Sequence, residues 1–222
     1  MRIIIAPMKP WWLAAAFLVG IVAQAQERDA ANGLLLIAKP DLRDPNFRET
    51  VVLVTQTPDY STVGVILNRP TRVKDERSGK PIYSGGPVLP GTLVGLFHSD
   101  SAPEAPAFHV LKRVYLSMHP SNIERLLARP PRNFRLFAGF SGWAPRQLEA
   151  EIRAEGWYVL PASEDLLFRE DTTGLWRELL ERARGARAQR ENVTNVAIQR
   201  LDGTTRNPTI VPLSIQQVYS KP

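Results

Sequence analysis

Apolar positions in the first half of this chain come as short runs of β-branched and aliphatic residues bounded by turn-forming ones. Residues Gly33 to Ala38 form such a run, stopped by Lys39 and Pro40, and its length predicts a buried strand rather than a helix. The turn-rich segment Asp41 to Asn46 follows, with Pro45 restricting the backbone. Thr50 to Gln56 and Thr62 to Asn68 are β-branched runs on either side of Thr57 to Ser61, a pattern that predicts two strands joined as a hairpin. The strongly charged stretch from Arg69 to Lys80 reads as a loop or a sheet edge.

After Gly85, Gly86 and Pro87 the pattern predicts a strand from Leu93 to Phe97 that ends at His98, and an extended segment within Phe108 to Met118. Ser121 with Glu124 three residues on is a capping-box signature, which predicts a short helix starting there and stopped by Pro130 and Pro131. Phe134 to Ala138 returns to strand. Pro145 suits the first residue of a helix that carries Leu148 and Ile152 on one face and ends at Gly156. Trp157 to Leu160 reads as a strand and Ser163 to Phe168 as a helical turn. Leu175 to Arg184 reads as an amphipathic helix with Leu175, Trp176, Leu179 and Leu180 on one side. Beyond Gly185 the chain becomes arginine-rich, and Asn195 to Leu201 and Thr209 to Leu213 read as two further extended pieces. Strands mixed with separated helices, without strict alternation, predict the α+β class.

The N-terminal residues follow a different logic. Arg2 and Lys9 precede an apolar run from Trp11 to Ala23, then Ala23-Gln24-Ala25, then a charged segment, which is the order of a secretory signal peptide cleaved after Ala25. The run is 13 residues long, short of the roughly 20 that span a bilayer, so the mature chain is expected to carry no transmembrane segment. The alternative is an uncleaved anchor. The resulting organisation is a signal peptide over 1–25, one domain over 26–184 and a C-terminal extension over 185–222, working in the periplasm or secreted. Without Arg2 and Lys9 the balance is 26 basic against 22 acidic residues, an excess too mild to argue for nucleic acid by itself. The absence of cysteine excludes disulfides, thiolate metal sites and thiol-linked lipid.

Several short pieces, collinear from Gly33 to about Leu180, together resemble the YqgE/AlgH family. They are residues 36–40, 44–52, 64–70, 85–88, 96–98, 137–143, 147–152, and Gly156 with Trp157. The resemblance implies a mixed, barrel-like β-sheet with helices packed around it and a largely undefined activity, one branch being named for a regulatory effect on alginate synthesis. Three features depart from the usual member: the signal peptide, a short connection from Asn68-Arg69-Pro70 to Gly85-Gly86-Pro87, and about 38 residues after Arg184. Export argues against a DNA-binding role, because chromosomal DNA is not available outside the cytoplasm.

The candidate surface combines Asn68, Arg69 and Pro70 with Gly85, Gly86 and Pro87 and with Gly139, Ser141, Gly142 and Trp143. Paired glycines let backbone approach a ligand, and their N–H groups can hold an anion, although a tight turn needs glycine on steric grounds alone. A serine between glycines after a strand resembles a nucleophile elbow, but that pattern needs glycine where Trp143 stands. Ser141 reads better as the lead-in to the helix near Pro145, with Trp143 as a staple. His98, His109 and His119 could serve as bases, and spacing selects none of them. His98 with Asp100 and Glu149 with Glu151 do not make a metal site; the glutamates read as solvating their helix. The arginines from Arg177 to Arg190 suit an acidic partner or, more simply, a solvated helix face. Asn192 to Thr194 matches a glycosylation acceptor. The leading expectation is a non-enzymatic binding or regulatory protein for an unknown protein or anionic ligand, without cofactor or metal. The alternatives are a serine hydrolase using Ser141 with His98, and a transcriptional regulator if the N-terminus is not an export signal.

Overall fold

The computed structural model describes residues 33–201, with side chains through residue 188. The signal-peptide residues and Thr209 to Leu213 lie outside that range. Among the described residues ten strands form one sheet: β1 (Leu34–Ala38), β2 (Val51–Gln56), β3 (Thr62–Ile66), β4 (Pro70–Lys74), β5 (Pro81–Ser84), β6 (Val88–His98), β7 (Phe108–Leu111), β8 (Val114–Ser117), β9 (Phe134–Trp143) and β10 (Trp157–Pro161). Among the described residues four helices accompany it: α1 (Pro120–Ala128), α2 (Gln147–Arg153), α3 (Glu164–Leu167) and α4 (Leu175–Leu201). The order is β10-β1-β2-β3-β9-β6-β8-β7, with β5 beside β9 and β4 outermost on β5. All pairs are antiparallel except β5 with β9, so the sheet is mixed and the class is α+β.

The sheet is curled into a half-barrel, and its central strands are apolar on both faces because both are covered. Along β1 and β2, Leu35, Ile37, Val51 and Leu53 point to the concave core, while Leu36, Ala38, Val52 and Val54 belong to a second cluster on the convex side. The curl brings Gly33 to β7, where its N–H donates to the Val110 carbonyl at 2.9 Å. Leu175, Leu179 and Leu180 of α4 fill the concave side, and the Trp176 indole donates to the Ala38 carbonyl at 2.7 Å. Leu148 of α2 packs into that second cluster, and Leu126 of α1 packs into a third with Phe97, Phe134 and Leu136.

Four local expectations change. α1 begins at Pro120, and its cap is His119, whose Nδ1 accepts from the Ser121 N–H at 3.3 Å; proline without an N–H suits the first helical turn, so the cap moves forward of Ser121. α2 begins at Gln147, behind Arg146 in a left-handed conformation, rather than at Pro145. β9 continues five residues past Ala138, because β3 and β6 both pair with its second half. Asn195 to Leu201 is helical and continues α4 rather than forming a strand; α4 also runs through Gly185 without a break.

Candidate functional site

The three motif segments meet at one place, the junction of β3, β5 and β9. The Gly85 N–H donates to the Ala138 carbonyl at 2.9 Å, and the Gly85 carbonyl accepts from the Ile66 N–H at 3.0 Å. One link further out, the Ser84 N–H donates to the Arg69 carbonyl at 2.8 Å. Gly86 and Gly139 have φ of 150° and 73°, and backbone of each segment lies where a side chain of the other would stand. A Cβ on Gly139 would sit 2.8 Å from the Gly86 oxygen and 2.9 Å from the Val88 oxygen. Steric need therefore explains these glycines.

The same junction produces a double irregularity. Val88 faces Phe140 and Leu93 faces Ala138, so four residues of β6, Leu89 to Thr92, stand against Gly139 alone. The surplus forms a protruding finger. Leu89 at its base has φ of 44° and 61% exposure, and Pro87, Pro90, Gly91 and Gly142 are exposed nearby in sequence or register. A leucine at positive φ is costly, roughly 1–2 kcal/mol, and it persists because the glycine packing fixes the chain on either side.

The polar side chains of the junction turn inward. Asn68 Oδ1 accepts from the Val51 N–H, and its Nδ2 donates to the Glu49 carbonyl, both at 2.9 Å. Arg69 donates to the carbonyls of Asn46 at 2.6 Å and Arg48 at 3.0 Å, and partial burial lowers its pKa. Together they clasp the Asp44 to Thr50 loop, where Glu49 has φ of 54°. Ser141 is fully buried within β9, and its hydroxyl donates to the Gly85 carbonyl at 3.2 Å. It is a strand residue rather than a helix lead-in.

Ser141 and His98 do not meet. Phe97 faces Phe134 at the start of β9, and Ser141 lies seven residues further on, roughly 20 Å away at strand rise. The His98 imidazole is 4.0 Å from Glu164 instead, His109 stacks on Tyr115 with centroids 5.0 Å apart, and His119 caps α1. Asp100 pairs with Arg113 at 3.1 Å. Among the described residues no group of three His, Cys, Asp or Glu could hold a metal, and no helix is long and apolar enough to cross a membrane. The described part of the arginine-rich segment is interleaved with acids: Arg184 meets Glu181 at 3.0 Å and Arg187 meets Glu155 at 3.6 Å.

Two polar anchors escape the sequence patterns. Glu151 does more than solvate α2: its Oε2 accepts from the indole N–H groups of Trp143 and Trp157, both at 3.0 Å, within a cluster where Phe47 stacks on Trp143. The available signal was the need of buried indoles for an acceptor. Arg135 is 5% exposed, donates to the Leu67 carbonyl at 3.2 Å and the Tyr83 hydroxyl at 3.1 Å, and bonds the Arg169 carbonyl as well. Its guanidinium lies 4.4 Å from the Tyr83 ring centroid, and burial lowers its pKa. A lone charge inside an apolar strand was the hint.

A curled mixed sheet with a glycine-locked three-strand junction and inward-turned polar groups defines a class of α+β proteins rather than a known catalytic centre. Residues 35–188 match the AlgH-like family, and the chain belongs to it. A UPF0301 protein of Thermobifida fusca (strain YX) is 35% identical over 178 residues, covering 72% of this chain and 90% of that protein. A UPF0301 protein of Myxococcus xanthus (strain DK1622) is 32% identical, with coverages of 67% and 88%. Among solved structures, a Corynebacterium diphtheriae protein aligns with TM-score 0.58 at 24% identity, covering 69% of this chain and 87% of that one. The AlgH protein of Pseudomonas aeruginosa aligns with TM-score 0.53 at 25% identity, with coverages of 62% and 80%. These likenesses bear out the family resemblance and the fold, and they carry no defined activity.

Proposed function

We propose that this AlgH-like chain is a non-enzymatic binding or regulatory module acting outside the cytoplasm, and that its partner docks on the outer rim of the glycine junction. The observation that carries the reading is the division of labour there. Asn68, Arg69 and Ser141 are engaged in internal bonds, whereas Pro87, Leu89 and Pro90 are exposed on a segment restricted by two prolines and by the close approach of Gly139 to Gly86, Val88 and Pro90. A rigid apolar prominence loses little conformational entropy on docking, which favours binding over chemistry. The export pattern of residues 1–25 supports the location.

Three measurements test the reading. A tagged protein should fractionate to the periplasm with Gln26 as its first residue; an intact Met1 in the cytosol would refute export and restore the transcriptional alternative. A fluorophosphonate probe should leave Ser141 unlabelled, and labelling abolished by Ser141→Ala would overturn the non-enzymatic assignment. A photo-crosslinking residue at Leu89 should concentrate adducts relative to one at Val159, which is also exposed. Equal yields would remove the rim from consideration.

A further inference from the structure

A second surface, separate from the finger, is built by β4, β5 and the loop after α1. Among the described residues β4 is an outer strand, paired with β5 alone. Pro70 faces Tyr83 and Lys74 faces Pro81, so Thr71, Arg72 and Val73 stand against Ile82 alone. The Thr71 hydroxyl holds this bulge, donating to the Ile82 carbonyl at 2.7 Å and accepting from the Val73 N–H at 3.1 Å. Arg72 and Lys74 are exposed, and Val73 between them is 61% exposed.

The hairpin is fastened to the last residue of α1 and to the loop that follows it. Arg77 donates to the Ala128 carbonyl at 3.1 Å, and Lys80 to the Arg132 carbonyl at 3.3 Å. Arg129 and Arg132, both exposed, stand at these two tie points beside the hairpin. Arg125 is matched by Glu104 at 3.2 Å and Lys80 by Glu170 at 4.0 Å. Among the described residues, none of Arg72, Lys74, Arg129 or Arg132 has a carboxylate within ion-pair distance, whereas the charge of Arg77 acts on Asp75. Asp75 on this hairpin is turned into its own turn by Ser78, which leaves Glu76 and Glu124 as the exposed acids of the two segments.

We propose that this cationic face, with Val73 at its bulge, is a contact surface for a bilayer carrying anionic phospholipid headgroups. Arginine forks suit phosphate oxygens, and a small apolar side chain amid cations can enter the interface while the guanidinium groups remain at headgroup level. The one aromatic residue of the two segments, Tyr83 in β5, is buried, so the face presents no exposed stacking platform of the kind that single-stranded nucleic acid uses. The inference needs neither export nor the junction rim, since it rests on this face alone.

The test is co-sedimentation of the full chain with phosphatidylcholine vesicles, with and without about one third phosphatidylglycerol, at about 0.05 M and about 0.5 M salt. The variant set is Arg72→Gln, Lys74→Gln, Arg129→Gln and Arg132→Gln combined. Its control combines Arg43→Gln, Lys112→Gln, Arg146→Gln and Arg153→Gln, which removes the same charge elsewhere on the exposed surface. At about fivefold per cation, the first set should weaken low-salt binding to anionic vesicles by roughly a hundredfold or more. It should leave binding to neutral vesicles unchanged, including any contributed by residues 11–23, and its thermal unfolding should match the parent. Val73→Asp should weaken anionic-vesicle binding further. Equal losses in the two sets, no dependence on phosphatidylglycerol, or duplex DNA displacing the protein from vesicles through the same four residues would overturn the proposal.

Discussion

Gly139→Ala puts the glycine junction to the most direct test. The new methyl would take φ of 73° and stand 2.8, 2.9 and 3.0 Å from the Gly86 oxygen, the Val88 oxygen and Pro90 Cα. The left-handed conformation costs roughly 1–2 kcal/mol for an alanine. Displacing three backbone neighbours adds about 1–3 kcal/mol, and the stiffer unfolded chain returns about 0.4–1 kcal/mol. The net loss is about 1–5 kcal/mol, centred near 3, and at that centre Tm falls by roughly 6–12 °C for a domain of this size. Gly79 supplies the control, because it has φ of 68° with nothing within 4 Å of a Cβ, so Gly79→Ala carries the conformational cost alone, about 1 kcal/mol. Urea unfolding of both variants, with m unchanged, measures the difference. A Gly139→Ala loss within about 0.5 kcal/mol of the Gly79→Ala loss would refute the claim that backbone contact locks the junction.

Other expectations are as concrete. Ser141→Ala should cost about 1 kcal/mol, the worth of one buried hydrogen bond, and calorimetry showing a neutral change would contradict its structural role. Arg135→Met leaves the Leu67 and Arg169 carbonyls and the Tyr83 hydroxyl without their donor, for a loss of roughly 2–4 kcal/mol. Hydrogen exchange should then accelerate selectively across residues 168–172, and protection unchanged there would refute the tie. Glu151→Ala strands two buried indole donors, so tryptophan emission should shift and stability fall by about 2 kcal/mol. The Ser78 hydrogen bonds hold the Asp75 pKa below the 3.8 of an unperturbed aspartate. Because its folded pKa is depressed, Asp75 contributes stability that is complete above about pH 5 and is lost as pH falls through the folded value. Asp75→Asn should therefore flatten that part of the acid limb in a pH series of urea midpoints.

Strand identity in the half-barrel was legible because apolar runs such as 34–38 and 51–54 are too short and too uniformly aliphatic for anything but strands covered on both faces. The helix over 175–184 was legible from its 3.6-residue spacing, and the motif segments were legible as a set. Their roles were not. Whether Ser141 is a nucleophile, a cap or a buried strand residue depends on β3 and β5 lying beside it, and those neighbours are 77 and 56 residues away in register and hydrogen bonding. The continuation of α4 through 195–201 is not legible locally, because valine and isoleucine weigh toward strand when read over a short window.

Local sequence thus determined which segments extend, which coil and where the chain turns, since periodicity, β-branching, glycine and proline act over a few residues. The pairing across long separations decided everything at the candidate site. It buried Ser141, kept His98 at the far end of β9, turned Asn68 and Arg69 onto the loop they clasp, and raised Leu89 on a finger where four residues meet one. Register is a property of two strands at once, and no single strand's sequence contains it.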